Sequence, residues 1–242
     1  MRDIKDYTEN YNHSAFEEYQ VVFRRKKIME ILGKYCPESI LEIGCGNDPL
    51  FQYINWPVTD YTIVEPSSTF IENAKELSDN ECVHFINCEY KATKELKDHN
   101  FHFIVCSSLL HEVEEPASFL EEIKLICCEN TIVHINVPNA NSMHRLLALE
   151  MGIIKDIHEM SENNKILQQH NVFDSESLYN IVENAGLKII DTGGYFIKPF
   201  THRQMQQMVE QKILTKDMLE GLYKLTKYMP ELSSEIWVNC RI

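Results

Sequence analysis

The feature that most constrains this chain is its alternation of short apolar runs with segments of helical periodicity. Ser39 to Ile43, Tyr61 to Val64, Val83 to Ile86, Phe103 to Cys106 and Thr131 to Ile135 are compact strand-length runs. Between and before them lie helical patterns: Ala15 to Gly33, Ser67 to Leu77 and Pro116 to Cys128. Strands that alternate with helices cannot pair as hairpins. They predict an α/β fold built on a mostly parallel sheet, with helices on both faces. At 242 residues and 44% hydrophobic composition, the chain has the material for one such domain.

After the fifth run the rhythm changes. Residues 138–172 form an excursion of the kind that serves as a lid or binding loop. Ser175 to Ala185 then reads as a helix closed by Gly186, Leu187 to Ile190 as a sixth strand, and Glu235 to Cys240 as a seventh. Thr201 to Tyr228 reads as helical. Its Met205, Met208, Ile213, Met218 and Leu222 are expected to form a packing face. Residues 1–38 are expected to be a helical cover, 39–242 the main domain, with insertions at 138–172 and 201–230.

Charge narrows the partners. Lys plus Arg number 23 against 37 Asp plus Glu, a formal net charge of -14. Such a surface repels phosphate backbones and anionic membranes, so neither nucleic acid nor membrane is the expected partner. A small molecule is the expected partner, bound by a monomer or homodimer. Arg24-Arg25-Lys26-Lys27 is the densest basic run and is expected on a solvated helix face. The opening residues lack the apolar core of a signal peptide, which predicts a cytoplasmic protein. The 8 cysteines then read as thiols, and their spacing with histidine predicts no metal site.

The first strand hands over to Gly44-Cys45-Gly46. Glycines there let the backbone turn tightly and approach a ligand closely. A dinucleotide fingerprint would carry a third glycine where this chain has Pro49, which disfavours a nicotinamide-dependent oxidoreductase. Glu42, just before the turn, suits a cationic or zwitterionic ligand. Glu65 ends the second strand about twenty residues on, where a carboxylate can accept hydrogen bonds from ribose hydroxyls.

Together, Leu41-Glu42-Ile43-Gly44-Cys45-Gly46, Glu65 and the fourth-strand run Phe103 to Val113 resemble the motifs of class I S-adenosylmethionine-dependent methyltransferases. The resemblance implies a Rossmann-like seven-stranded sheet of order 3-2-1-4-5-7-6. It implies S-adenosylmethionine as donor, with S-adenosylhomocysteine as product. Gly44 and Gly46 would line the methionine part, Glu65 the ribose, Cys88 and Glu89 the adenine, and Ser107 the wall beside the methyl group. The run Val137 to Arg145, with Gln169-His170 and Lys198-Pro199-Phe200, also resembles a bacterial subgroup associated with capsule and lipopolysaccharide synthesis.

A hydroxyl acceptor needs a base, and histidine suits neutral pH. Among 10 histidines, His144, His170 and His111 lie in segments that follow the fourth and fifth strands, where parallel sheets open their ligand crevice. His134, mid-strand, is expected in the core. Asn139, Arg145 and Lys198 are candidate acceptor contacts, Arg145 through its planar fork. Tyr11, Tyr19 and Arg24 are possible covers over the donor. The leading expectation is O-methylation of a sugar-linked or phosphorylated precursor. Methylation of an amine or a natural product, and non-catalytic binding of the donor, are the alternatives.

Overall fold

The computed structural model describes residues 3–12, 16–78, 80–90 and 94–242, without the side chains of 10–12, 94, 95 and 163. In chain order, α1 (Ile4–Asn12) and α2 (Glu17–Tyr35) precede β1 (Ser39–Ile43), β2 (Asp60–Val64), α3 (Ser68–Glu76) and β3 (Val83–Ile86). Then come α4 (Lys94–Lys97), β4 (Phe103–Ser107), α5 (Pro116–Lys124), β5 (Ile132–Pro138), α6 (Met143–Glu150), α7 (Glu162–Ile166) and α8 (Ser175–Asn184). The chain closes with β6 (Lys188–Tyr195), α9 (His202–Glu210), α10 (Lys216–Leu225) and β7 (Glu235–Arg241).

The seven strands form one sheet of order β3-β2-β1-β4-β5-β7-β6. The first five are parallel, and β7 runs antiparallel between β5 and β6. This is the Rossmann-like methyltransferase order expected from the sequence. Side chains alternate across the sheet: Leu41, Ile104 and Cys106 pack on one face with α5 and α8. Ile40, Phe103 and Val105 pack on the other with α2, α3, α9 and α10. Strand order reverses between β1 and β4, which opens a crevice at the carboxyl ends of those two strands.

Several local expectations shift. Gly33 lies inside α2 rather than at its end. The helix stops at Cys36, in the left-handed region (φ 43), because Pro37 restricts the residue before it and cannot continue the helix. The basic run is not a solvated face. Arg24 and Arg25 are both buried, because α2 packs between the strands and the glycine turn, where each finds an acceptor. The helix expected over Thr201 to Tyr228 is two helices, broken where Lys212 turns left-handed (φ 58) and Thr215 caps α10. That break rotates the apolar face. Leu214, Leu219 and Tyr223 are buried with Met205, while Ile213 and Met218 are exposed. The excursion after β5 carries two short helices, α6 and α7. No helix among the described residues is long and apolar enough to cross a membrane.

Candidate active site

Gly44 and Gly46 both adopt positive φ (79 and 57), so the turn after β1 needs residues without a Cβ penalty. Above Gly44 the space is open: an added Cβ would have only Leu109 Cδ1 within reach, at 4.0 Å. The turn is tied down from three sides. Glu65 Oε2 accepts the Gly46 N–H at 3.3 Å. Arg25 Nη2 donates to the Cys45 carbonyl at 2.9 Å. Asn73 Nδ2 donates to the Asn47 carbonyl at 2.9 Å.

Glu65 is buried, and its second oxygen accepts the Ser67 N–H at 2.8 Å. These two bonds orient the carboxylate at the edge of the glycine turn. Asn87 Nδ2 donates to the Glu65 and Pro66 carbonyls at 2.9 and 3.0 Å, which fixes the backbone behind it.

Glu42 is placed differently from Glu65. It is fully buried, accepting from the Leu50 N–H (3.1 Å) and the Tyr61 hydroxyl (2.7 Å), with Arg25 Nη1 at 3.7 Å. Burial pushes its carboxyl up, and Arg25 opposes the shift. Its contacts brace the turn from below. Cys88 is half-buried at the end of β3, and Glu89 is exposed.

Ser107 ends β4. Its Oγ is buried and has no hydrogen-bond partner among the described residues. Ser108 follows in the left-handed region (φ 54), with its N–H bonded to the Asn136 carbonyl at 3.0 Å. Such strain in a non-glycine residue is characteristic of functional turns. Open space over Gly44, an oriented acid in Glu65 and an unsatisfied hydroxyl in Ser107 fit an adenosyl donor at this crevice.

The N-terminal segment bridges the loops around it. Thr8 Oγ1 donates to Ser67 Oγ at 3.0 Å, and Tyr7 donates to Glu112 Oε1 at 3.2 Å. Gln168 Nε2 donates to the Asp3 carbonyl at 3.0 Å. Helix α1 therefore spans from the loop after β2 to the loop after β4. Tyr11's side chain lies outside the described residues. Tyr19 stacks on Phe16 (5.0 Å between centroids).

A second group of polar side chains gathers at the same sheet edge, around the ends of β5 and β6 and the start of β7. Arg24 Nε and Nη2 both donate to Glu235, at 3.0 and 2.7 Å. Glu235 also accepts from the Tyr195 hydroxyl and from Asn136 Nδ2 (2.8 Å). Burial alone would push this carboxyl up, but Arg24 outweighs it and holds Glu235 below the usual range.

Beside this pair, the buried Lys198 has its Nζ 3.1 Å from His202 Nδ1. Burial lowers Lys198 to about 8, although Glu17 and Glu235 oppose the shift. His144 is half-buried, its Nδ1 3.1 Å from Ser142 Oγ. Burial and then the charges of Lys198, His202 and Arg145 keep it neutral well below the usual histidine range.

The structure thus brings His144 and Lys198 into one neighbourhood. Arg145 stands near both, close enough for its charge to lower the pKa of each, and Asn139 and Arg145 direct donors to backbone carbonyls. Asn139 spends its amide on the Glu231 and Ser233 carbonyls (3.0 and 2.9 Å). Arg145 donates to the Ile157 and Glu159 carbonyls, fastening the stretch between α6 and α7. His111 is buried behind β4, and its carbonyl accepts the N–H groups of His170 and Asn171, both at 3.0 Å. The His170 side chain is exposed. His134 is buried in β5 as expected, with Nδ1 2.8 Å from Asn239 Oδ1.

Glu17, Arg25, Tyr195, His202 and Glu235 escaped the sequence reading. His202 stands four residues after Lys198, just past the Thr201 cap of α9, and that spacing was a usable signal. Arg24 and Glu235 are 211 residues apart, so nothing local links them.

Residues 11–192 match the family model of a methyltransferase domain. The fold is similar to an S-adenosylmethionine dependent methyltransferase from Mesorhizobium loti, at 11% identity over 84% of this chain and 90% of that one (TM-score 0.57). It is similar to the plantazolicin methyltransferase BamL, solved with a triazolic desmethylPZN analog and SAH. There the identity is 15% over 98% and 95% of the two chains (TM-score 0.57). A SAM dependent methyltransferase from Aquifex aeolicus aligns at 13% identity over 89% and 88% (TM-score 0.53). No curated protein sequence matches the chain. On the family match, which spans the glycine turn, Glu65 and the first five strands, the chain belongs to the methyltransferase-domain family and is an S-adenosylmethionine-dependent methyltransferase.

Proposed function

We propose that the chain O-methylates a small molecule, with the donor held over Gly44, Gly46, Glu65 and Ser107 and with His144 as the base. The hydrogen bond from Gly46 to Glu65 carries the donor half, because it sets a buried acid directly beside the open glycine turn. When bound, S-adenosylmethionine supplies a methyl group activated by a positively charged sulfur. The protein's task is then mainly to orient the acceptor and exclude water, an effect worth up to about 7–11 kcal/mol. Helix α1 closes the donor side through Tyr7 and Thr8.

His144 supports the hydroxyl reading. With Nδ1–H donating to Ser142 Oγ, the Nε2 lone pair is left to take the acceptor proton, since it has no partner among the described residues. The depressed pKa keeps this ring neutral, and therefore basic in form, across the physiological range. A sugar-linked or phosphorylated precursor of a surface polysaccharide is the acceptor favoured by the subgroup resemblance. A natural-product acceptor is the second reading, and it draws on the structural likeness to BamL.

Calorimetric titration with S-adenosylmethionine and S-adenosylhomocysteine tests the donor site; binding that survives Glu65→Ala unchanged would remove Glu65 from it. Turnover over a panel of hydroxyl and amine acceptors tests the chemistry. His144→Ala should abolish methylation of hydroxyls while donor binding persists. Methylation of amines alone would overturn the O-methyl assignment.

A further inference from the structure

Lys198 is in an unusual electrostatic position. Only 2% of its surface is exposed, yet its direct partner is an imidazole and not a carboxylate. The ammonium has three N–H donors, and His202 accepts one of them. No further hydrogen bond forms to Lys198 Nζ among the described residues.

The charged groups around it are committed elsewhere. From β7, Glu235 is taken by Arg24, Tyr195 and Asn136. From α2, Glu17 is bonded to Arg24 at 3.2 Å and lies 3.8 Å from His202 Nε2. From α6, His144 and Arg145 add no negative charge. A buried ammonium with two donors unused and no carboxylate in contact is incompletely compensated.

The backbone delivers Lys198 to this place at a cost. Phe196, just after β6, takes φ 60, a rare conformation for a bulky residue. It is locked there by Phe23 (stacked at 4.7 Å) and by the Ser234 N–H, which donates to its carbonyl at 2.7 Å. This strained turn lies where parallel sheets bind ligands, at the carboxyl edge of β5.

We propose that Lys198, oriented by His202, holds an oxyanion of the acceptor, so that the substrate class is an acidic hydroxyl compound or one bearing a carboxylate or phosphate beside the reacting hydroxyl. This inference rests on the small-molecule methylation reading and narrows it. His202 is a positioning residue: it acts through Lys198. Its ring is held neutral by burial and by the neighbouring charge of Lys198, so it accepts a hydrogen bond rather than repelling the ammonium. The ammonium loses its proton around pH 8, and anion binding is lost with it.

The test uses the full chain loaded with S-adenosylhomocysteine and three probes: 4-nitrophenol, benzoate and inorganic phosphate. Benzyl alcohol serves as a neutral control. The expected result is saturable binding of at least one anionic probe, weakened about 10- to 100-fold by Lys198→Met, as loss of a charge-assisted bond implies. Lys198→Arg should keep part of that affinity, and binding should fade above about pH 8. If 4-nitrophenol is the ligand, its bound form turns yellow below the pH at which the unbound probe does; phosphate or benzoate binding without that change assigns the oxyanion to a neighbouring group. The proposal is overturned if no anionic probe binds, if benzyl alcohol binds as well, or if Lys198→Met leaves affinity unchanged. Binding of S-adenosylhomocysteine to each variant separates the two failures. Its retention shows a folded donor site and confines the failure to Lys198, whereas its absence from the unsubstituted protein defeats the methyltransferase site itself.

Discussion

Arg25 Nη2 donates to the carbonyl of Cys45 at 2.9 Å, so a buried helix cation holds the middle peptide of the glycine turn. The same guanidinium lies 3.7 Å from Glu42 and 3.6 Å from Asp48, which joins both shoulders of the turn to α2. Arg25→Met should therefore weaken donor binding roughly 10-fold without touching the donor, since one charge-assisted bond contributes ~1.5–3 kcal/mol. Thermal stability should fall as well, because Glu42 is left buried without its cation. Calorimetry with S-adenosylhomocysteine reads the first effect. An unchanged dissociation constant would mean that the turn keeps its shape without Arg25.

The centre of the sheet was legible in the sequence because β1 and β4 bury both faces and read as near-continuous apolar runs, whereas the edge strands β3 and β6 keep exposed positions. Leu41 to Ile43 and Phe103 to Cys106 announce themselves in this way. Glu65 was legible because it stands at the end of the strand that follows the glycine turn, 19 residues on from Gly46. The acceptor side was not. Arg24 meets Glu235 only after the whole sheet has assembled, and charge runs such as Arg24-Arg25 look alike whether solvated or buried. Asn139 and Arg145 carry side chains suited to ligands, yet the same hydrogen-bonding capacity serves backbone carbonyls, those before β7 for Asn139 and those of the excursion for Arg145. Composition and spacing do not separate these two uses.

The Arg24–Glu235 pair sits where α2, β5, β6 and β7 converge, and its energetics follow from its burial. Removing one partner strands the other. Arg24→Met should cost about 3–5 kcal/mol of unfolding free energy. Substituting both partners by Met should cost less than the sum of the single changes, because Glu235 is then no longer left buried without Arg24, although Glu17 still loses its cation. Urea unfolding of the two single variants and the double variant closes the cycle. Strict additivity would show that the two groups do not interact.

Tyr7 and Thr8 tie α1 to the loops after β4 and β2, across the mouth of the crevice. Tyr7→Phe combined with Thr8→Val deletes both tethers and preserves shape. The expected result is a several-fold faster release of S-adenosylhomocysteine with little change in melting temperature, because helix ends and segment tips open locally at low cost. Stopped-flow displacement measures the release rate. If that rate is unaltered, α1 does not gate the donor.

Acid should destabilise this protein before its carboxylates titrate, and His134 shows why. The ring is fully buried between Asn239 and Trp237, and burial lowers its pKa from 6.5 to about 4. In the unfolded chain the same ring takes its proton near pH 6.5. As pH falls from 7 to 5, the unfolded state therefore binds a proton that the native state refuses. Stability drops over that window by about 2 kcal/mol for this residue alone, from ~1.4 kcal/mol per pH unit once the unfolded ring is protonated. His144 and His202, depressed by burial in the same direction, steepen the loss. Urea midpoints at pH 7 and pH 5 measure it, and His134→Gln should flatten the dependence by one proton's share while lowering stability at pH 7. A midpoint that is constant between those pH values would show that the buried rings accept protons in place, with compensating groups that the present contacts do not contain.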